Sequence, residues 1–419
     1  MAAEPQAAVS TALDRLAGGL PALGIAVSGG SDSIALLHLA HEWARARGVR
    51  IEAATVDHRL RPEAAAEAAG VARRAKELCV PHAVLTWRHE DVPGNVMDAA
   101  RRARMRLLAD WAGGRGLPAV ALGHTQDDQA ETLLMRLARG AGLDGLSGMA
   151  PSRHQQGTLW LRPMLELRRQ ALRDWLTGRG IGWVDDPSNE DPAYQRVRMR
   201  QAIAALDLPV EALARSAANL AEARAALAEA AVATACGTQA DRGMLRLPRQ
   251  VMEAGPEITR RLVVAALRWV TGADYPPRGA DVARLIALLA AGGQGTLDGV
   301  IVRTRGGMVE VIREPAAAAR SGRGTVPRDH GAGRTASEVL WDRRWRLTGL
   351  PGDAVVTAAG EAALAGRDWR AAGLPRAALA SSPAVILGEK AILPLLDPSP
   401  VGALPLRGAD DFLAILRAH

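Results

Sequence analysis

Two hydrophobic patterns alternate along the first half of the chain. Leu23-Gly24-Ile25-Ala26-Val27 is a short uninterrupted apolar run, as a parallel strand covered on both faces requires, and Ile34, Leu37, Leu39 and Ala40 then recur like one face of a helix. The alternation continues with a strand at Ile51 to Val56, a helix from Pro62 to Leu78, a strand at Ala83 to Trp87 and a helix from Asn95 to Trp111. A further strand, Pro118 to Leu122, leads into another helix. Strands separated by helices predict an α/β fold, its parallel sheet joined by right-handed crossovers and its ligands gathered at the carboxyl ends of the strands. The polar clusters Ser28 to Ser33, Asp57-His58 and His124 to Glu131 all fall at such ends and are predicted to share one crevice.

Past Arg200 the pattern changes. Ala202 to Cys236 reads as one helix rich in Ala, Leu and Arg, with Leu206, Leu213, Leu220 and Leu227 in a heptad-like row that predicts core packing. Gly299 to Arg313 is strand-like. Pro315 to Ser337 reads as a flexible, positively charged linker, and Glu338 to His419 as a small α+β module in which Trp341, Trp345 and Trp369 stand among arginines. Arginine interleaved with tryptophan can grip RNA by phosphate contact and base stacking, although tryptophan is more often core. The predicted organisation is a catalytic α/β domain over 1–200, a mainly helical domain over 201–314, a linker over 315–337 and a C-terminal domain over 338–419.

Composition narrows the partners. A chain of 419 residues with a net charge of +7 suits a polyanionic partner, and Lys76 and Lys390 are its only lysines, so arginine supplies almost all the positive charge. Guanidinium groups fit phosphate oxygens and stack on bases, though a GC-rich genome would produce the same bias. The two cysteines, Cys79 and Cys236, make neither a disulfide framework nor a four-thiolate metal site and are expected to be core thiols. Met1 to Leu20 lacks the form of a signal peptide, and no apolar run approaches membrane-spanning length, so a cytoplasmic location is expected.

The loop Ser28-Gly29-Gly30-Ser31-Asp32-Ser33 joins the first strand to the first helix of the alternation. Glycines without Cβ let successive backbone N–H groups converge on an anion, and the helix N-terminus adds positive potential. This is a candidate pyrophosphate cradle. It differs from a Walker A loop, having no G-x-x-x-x-G-K-[ST] pattern. Asp32 would repel a bare polyphosphate, but suits a Mg²⁺ that the phosphates also ligate. Downstream, Asp128 and Glu131 follow His124 by four and seven residues, which would place all three on one helix face, and Asp127 precedes Glu131 by four. A histidine with three carboxylates could bind a cationic substrate, orient Mg²⁺ or take a proton from an amine nucleophile. Zinc is disfavoured, because only His124 offers a suitable ligand.

Together these motifs resemble a known family. The Ser28 to Ser33 loop, Val56-Asp57-His58-Arg59-Leu60-Arg61, Gly123-His124-x-x-Asp127-Asp128-x-x-Glu131-Thr132, Leu161-Arg162-Pro163-Met164-Leu165 and Asp186-Pro187-Ser188-Asn189 stand in the order found in bacterial tRNA(Ile)-lysidine synthetases. The loop alone would indicate only the PP-loop ATP pyrophosphatase superfamily. The resemblance is close from Leu20 to Arg200 and looser beyond, through Gly299-Val300-Ile301-Val302-Arg303 and Arg313-Glu314-Pro315. Met105 stands where the family often has an aromatic residue, and Arg59 where glycine is frequent.

The resemblance implies a Rossmann-like sheet of the PP-loop type and a ligase that uses ATP to join L-lysine to C2 of the wobble cytidine in the CAU anticodon of tRNA(Ile). It implies attack of the cytidine O2 on the α-phosphate, loss of pyrophosphate, and displacement of AMP by the lysine ε-amine. Ser28 to Ser33 would hold the departing pyrophosphate, Asp32 would place Mg²⁺, and His124, Asp127, Asp128 and Glu131 would hold lysine and help deprotonate it. The alternatives are a tRNA thiolase or an amide-forming synthetase of the same superfamily, and a non-catalytic RNA-binding protein.

Overall fold

The computed structural model describes residues 4–418 apart from 60–63, 88–95, 186–190 and 326–336. Leu60-Arg61 and Asp186 to Asn189, parts of two of the sequence motifs, therefore lie outside the described residues, as do the first residues of the helices expected from Pro62 and Asn95.

The chain divides into two compact units, residues 1–222 and 223–419. The first follows the predicted alternation: α1 (Pro5–Ala17), β1 (Ala22–Ala26), α2 (Ser31–Arg47), β2 (Arg50–Asp57), α3 (Ala64–Glu77), β3 (His82–Thr86), α4 (Val96–Gly114), β4 (Ala119–Ala121) and α5 (Gln126–Leu137). A short α6 (Leu143–Leu146) precedes the hairpin β5 (Ser152–Gln155) and β6 (Thr158–Leu161), and α7 (Arg169–Thr177), α8 (Gln195–Ala205) and α9 (Val210–Thr234) follow. The six strands form one sheet in the order β3-β2-β1-β4-β6-β5, parallel throughout except where β5 pairs with β6. Every residue of β1 is buried, because helices cover both faces of the sheet. On one side Leu23 and Ile25 pack with Ile34, Leu37 and Leu172. On the other, Ala22 and Ala26 pack with Leu108, Trp111 and Trp160. After β1 the chain turns back toward β2, while β4 lies on its opposite flank. The carboxyl ends of β1 and β4 therefore flank the point at which the strand order reverses, the switch point at which doubly wound sheets bind ligands.

The single helix expected over Ala202 to Cys236 is two helices. Pro209 lacks the N–H that an unbroken helix would need and disfavours helical geometry at Leu208, so α8 ends at Ala205 and α9 begins at Val210. Leu206 falls in this break and is 68% exposed, while Val210, Ala217, Ala228 and Ala231 are the buried positions of α9. The leucine row is thus not a continuous core stripe.

In the second unit, β7 (Gln239–Asp241), β8 (Met244–Pro248), α10 (Pro256–Thr271), α11 (Gly279–Ala290), β9 (Gln294–Leu297), β10 (Val300–Arg305) and β11 (Met308–Arg313) build a five-stranded antiparallel sheet with helices against it. The strand-like stretch Gly299 to Arg313 is the hairpin β10–β11. The expected flexible linker opens instead with a helix, α12 (Pro315–Arg320), whose Ala317 and Ala318 are buried. Beyond it, β12 (Gly324–Thr325), β13 (Ser337–Trp341), β14 (Trp345–Leu350), β15 (Val355–Ala358), α13 (Arg376–Ala380), β16 (Pro383–Leu387), β17 (Lys390–Ile392), β18 (Gly402–Pro405) and α14 (Ala409–Arg417) form two small antiparallel sheets with flanking helices. Trp341 and Trp345 lie in this core, which removes both from RNA contact. Trp369 is half-buried between Arg370 and Arg376. Cys79 and Cys236 are exposed, contrary to the expectation of core thiols: each stands just beyond a helix end, where the chain turns at the surface.

Candidate active site

Beyond β1, Gly29 adopts φ +97°, a conformation open to glycine and strained for residues with a Cβ. The turn is held from within. Ser33 Oγ accepts hydrogen bonds from the backbone N–H of Ser28 at 3.1 Å and of Gly29 at 3.2 Å, and donates to the Gly30 carbonyl at 3.0 Å. The Val184 N–H fixes the loop from outside through the Gly29 carbonyl at 3.0 Å. Of the loop amides, those of Ser28 and Gly29 are thus engaged by Ser33, and those opening α2, at Ser31 to Ser33, have the free N–H groups and positive potential of a helix start.

The loop after β4 approaches this turn closely. A Cβ on Gly123 would lie 3.2 Å from the backbone of Asp32 and Ser33, so glycine there lets the two loops touch. Thr125 caps α5 in a capping box with Asp128, whose Oδ2 accepts from the Thr125 N–H at 2.8 Å and from its hydroxyl at 3.0 Å. His124 precedes the cap and is not on the helix, which corrects the expected single helical face. It reaches the same crevice nonetheless. A cavity of about 960 Å³ is lined by Ser28, Gly30, Ser31, Asp32 and Ser33 from the turn into α2, by His124 from the turn into α5 and by Asp128 and Glu131 of α5.

Two predicted groups lie elsewhere. Asp127 turns to the far side of α5, where it accepts from the Arg169 N–H at 2.8 Å and pairs with Arg168 at 3.3 Å, beside a smaller hollow of about 350 Å³. Asp57 accepts from the Arg59 N–H at 2.9 Å, closing a turn in which Arg59 has φ +51°. His58 packs edge-on to Trp87, and neither Asp57 nor His58 lines the cavity.

Arginines make up much of the remaining wall: Arg101, Arg104, Arg136, Arg139, Arg169, Arg173, Arg196 and Arg200. Arg169 Nε meets Asp32 Oδ2 at 2.8 Å, and its terminal nitrogens meet Asp128 Oδ1 at 3.3 Å and Glu131 Oε1 at 3.4 Å. Arg200 also pairs with Glu131 at 3.0 Å and Arg196 with Asp128 at 3.5 Å. Sequence reasoning did not single out these groups. The four-residue spacing of Arg196 and Arg200 was an available signal, whereas nothing local marks Arg169.

These charges set the protonation states. Burial raises the Asp32 pKa, with Arg169 opposing it. Burial also disfavours the Asp128 anion, but Arg169, Arg196 and His124 outweigh it and hold its pKa below the usual value. His124 is pushed down to about 3 by burial, with Arg162, Arg196 and Arg104 adding to the effect against Asp128. Its Nδ1 is enclosed without a partner among the described residues, and with so low a pKa it is a neutral imidazole at neutral pH, beside an anionic Asp128.

A parallel sheet with a Gly/Ser loop at its switch point, facing an acidic helix start, is the arrangement of a PP-loop protein. Residues 6–206 match the family model described as a PP-loop domain. The chain is 43% identical over 348 residues to the tRNA(Ile)-lysidine synthase of Ruegeria pomeroyi, covering 82% of this chain and 80% of that one. It is 40% identical over 320 residues to the tRNA(Ile)-lysidine synthase of Methylobacterium nodulans, covering 72% and 94%. The chain belongs to the tRNA(Ile)-lysidine synthase family. Among solved structures it is similar to a U34-tRNA thiolase from Methanococcus maripaludis, with 16% identity and a TM-score of 0.46 over 52% of this chain and 78% of that one.

Proposed function

We propose that this protein is a carbon–nitrogen ligase that joins L-lysine to C2 of the wobble cytidine in the CAU anticodon of tRNA(Ile), converting ATP to AMP and pyrophosphate through an adenylated tRNA. The observation that carries this reading is the meeting of the phosphate loop and the Asp128–Glu131 pair in one arginine-walled cavity of a chain in this family. The cavity has the three chemistries the reaction needs: free helix-start amides for pyrophosphate, carboxylates for an ammonium group, and guanidinium groups for the RNA backbone.

In the first step the amides at Ser31 to Ser33 hold the phosphates while the cytidine O2 attacks the α-phosphate. In the second, Asp128 and Glu131 receive the lysine ε-ammonium, and proton loss to a carboxylate frees the amine that displaces AMP. His124, being neutral, serves as a hydrogen-bond partner rather than a competing cation. Mg²⁺ fits as a one-carboxylate ion: Asp32 stands at the loop mouth, and among the described residues no three His, Cys, Asp or Glu side chains are placed to hold one metal ion together, whereas Mg²⁺ usually takes one or two carboxylates with phosphates and water. When bound by Asp32 it would neutralise phosphate charge.

Residues 201–314 and 338–419 are assigned to holding the tRNA, and work on tRNA puts the protein in the cytoplasm. No described helix is long and apolar enough to cross a membrane. The thiolase alternative requires sulfur chemistry, and no cysteine lines the cavity among the described residues. Incubation with ATP, radiolabelled L-lysine and tRNA(Ile) tests the reading: ATP-dependent label in the tRNA is expected, and label that never enters tRNA refutes it.

A further inference from the structure

Arg169 occupies an unusual position for a side chain in a site built to receive cations. It begins α7, and its backbone is fixed from two sides. Its N–H donates to Asp127 at 2.8 Å, so a carboxylate from α5 satisfies the start of α7, and Leu172 and Leu176 of α7 pack with the α2 core. From this anchored backbone the guanidinium spreads three nitrogens over three carboxylates from two helix starts, Asp32 of α2 at 2.8 Å and, from α5, Asp128 at 3.3 Å and Glu131 at 3.4 Å. The arginine side chain is 19% exposed and that of Glu131 only 2%. Three carboxylates this enclosed repel one another unless cations lie among them: Arg196 meets Asp128 and Arg200 meets Glu131, and among the described residues Arg169 is the cation that bridges all three.

The substrates proposed above bring cations to the same oxygens, Mg²⁺ to Asp32 and an ammonium to Asp128 and Glu131. They also bring phosphates, for which a guanidinium fork is a well-matched partner. We propose that Arg169 is a placeholder cation that makes lysine binding conditional on nucleotide. Without nucleotide its guanidinium covers Asp128 and Glu131. Phosphates at the start of α2 draw it away from α5 and leave that pair beside only the more exposed Arg196 and Arg200, open to the ε-ammonium on the side that Arg169 vacates. This rests on the reading of the substrates as ATP and L-lysine and adds an order to their binding. Arg169 is then a positioning residue whose signature is thermodynamic coupling: ATP raises the affinity for lysine, and lysine raises the affinity for ATP by the same factor.

The test is calorimetric titration of L-lysine into the full chain, alone and saturated with α,β-methylene-ATP and Mg²⁺. In the wild type the nucleotide analogue is expected to tighten lysine binding about tenfold or more, within the usual range of such couplings. In Arg169→Gln, lysine should bind the nucleotide-free protein nearly as well as the loaded one. Arg169→Lys keeps the charge but cannot fork across three carboxylates, so its coupling should fall toward unity, and it decides the matter should Arg169→Gln fail to fold. A wild type whose lysine affinity ignores the analogue overturns the proposal, as does a variant that keeps the full wild-type coupling. If label from lysine still enters tRNA in that case, only the placeholder role has failed. If the loaded wild type neither binds lysine nor transfers it, the substrate reading has failed with it.

Discussion

Asp127 and Asp128 are adjacent in sequence and line different cavities, so changing each to asparagine should separate two kinds of damage. Asp128 uses Oδ2 for the capping box and Oδ1 toward Arg169 and Arg196. In Asp128→Asn the new side chain can still cap α5 through its amide oxygen, but it withdraws one of the two charges assigned to the lysine ammonium. A hydrogen bond to a charged group contributes about 1.5–3 kcal/mol, and about 1.4 kcal/mol is tenfold. The lysine KM of Asp128→Asn should therefore rise by about 10- to 150-fold, and adenylated tRNA should accumulate in single-turnover quench experiments. Asp127 lies outside the cavity and accepts the Arg169 N–H, which an asparagine oxygen can also do. What Asp127→Asn loses is charge at the start of α7, an effect of about 0.3–1 kcal/mol, or at most about a fivefold change in lysine KM. Pyrophosphate release without lysine should be close to normal in both variants. Equal effects on lysine KM, or a larger one in Asp127→Asn, would refute the assignment of Asp128 rather than Asp127 to the amino acid.

Asp32→Ala should nearly abolish tRNA-dependent pyrophosphate release without lysine and leave tRNA affinity within a few fold by filter binding; normal release would remove Asp32 from the nucleotide site. Gly123→Val should raise the ATP KM several fold, because branched carbons at a point 3.2 Å from the backbone of Asp32 and Ser33 must push the phosphate loop aside; an unchanged ATP KM with an unchanged melting temperature would show that the loops yield freely. His124→Gln should make stability less sensitive to acid. The folded pKa of His124 is about 3, against about 6.5 when unfolded. The unfolded state therefore binds the extra proton between these values, and the stability from neutral His124 is lost as pH falls below about 6.5, up to about 2 kcal/mol by pH 5. Urea melts at pH 7 and pH 5 check this, and an identical pH dependence in the variant contradicts it.

How much of the site was legible follows from the range of the interactions that build it. The strand-to-helix turn after β1 and the cap of α5 are local, made by residues within five positions of one another, and their Gly, Ser, Thr and Asp residues are readable from sequence. The alternation of apolar runs likewise placed β1 to β4, because a covered parallel strand leaves a continuous apolar signature. Side-chain direction at a helix start is less secure. The i, i+4 rule assigned His124 to the face of Asp128, but the rule holds only inside a helix, and α5 begins at Gln126. Tryptophan and cysteine were read from average habits, and local context reversed the average for Cys79, which stands at φ +56° in an exposed turn.

Arg169 marks the limit of such reading. Its contact with Asp32 spans 137 positions, and the second arginine of Arg168-Arg169 carries no local sign that it differs from the first. Only the fold separates them: Arg168 turns to Asp127 and Glu211, while Arg169 turns into the cavity. The same topology gives the pair a common fulcrum, because Asp127 holds the backbone of one and the side chain of the other. A carboxylate outside the cavity thus fixes the point from which a guanidinium inside it reaches. The run Asp127-Asp128 is then one device with two faces, one setting where α7 begins and the other receiving the cation that α7 now supplies.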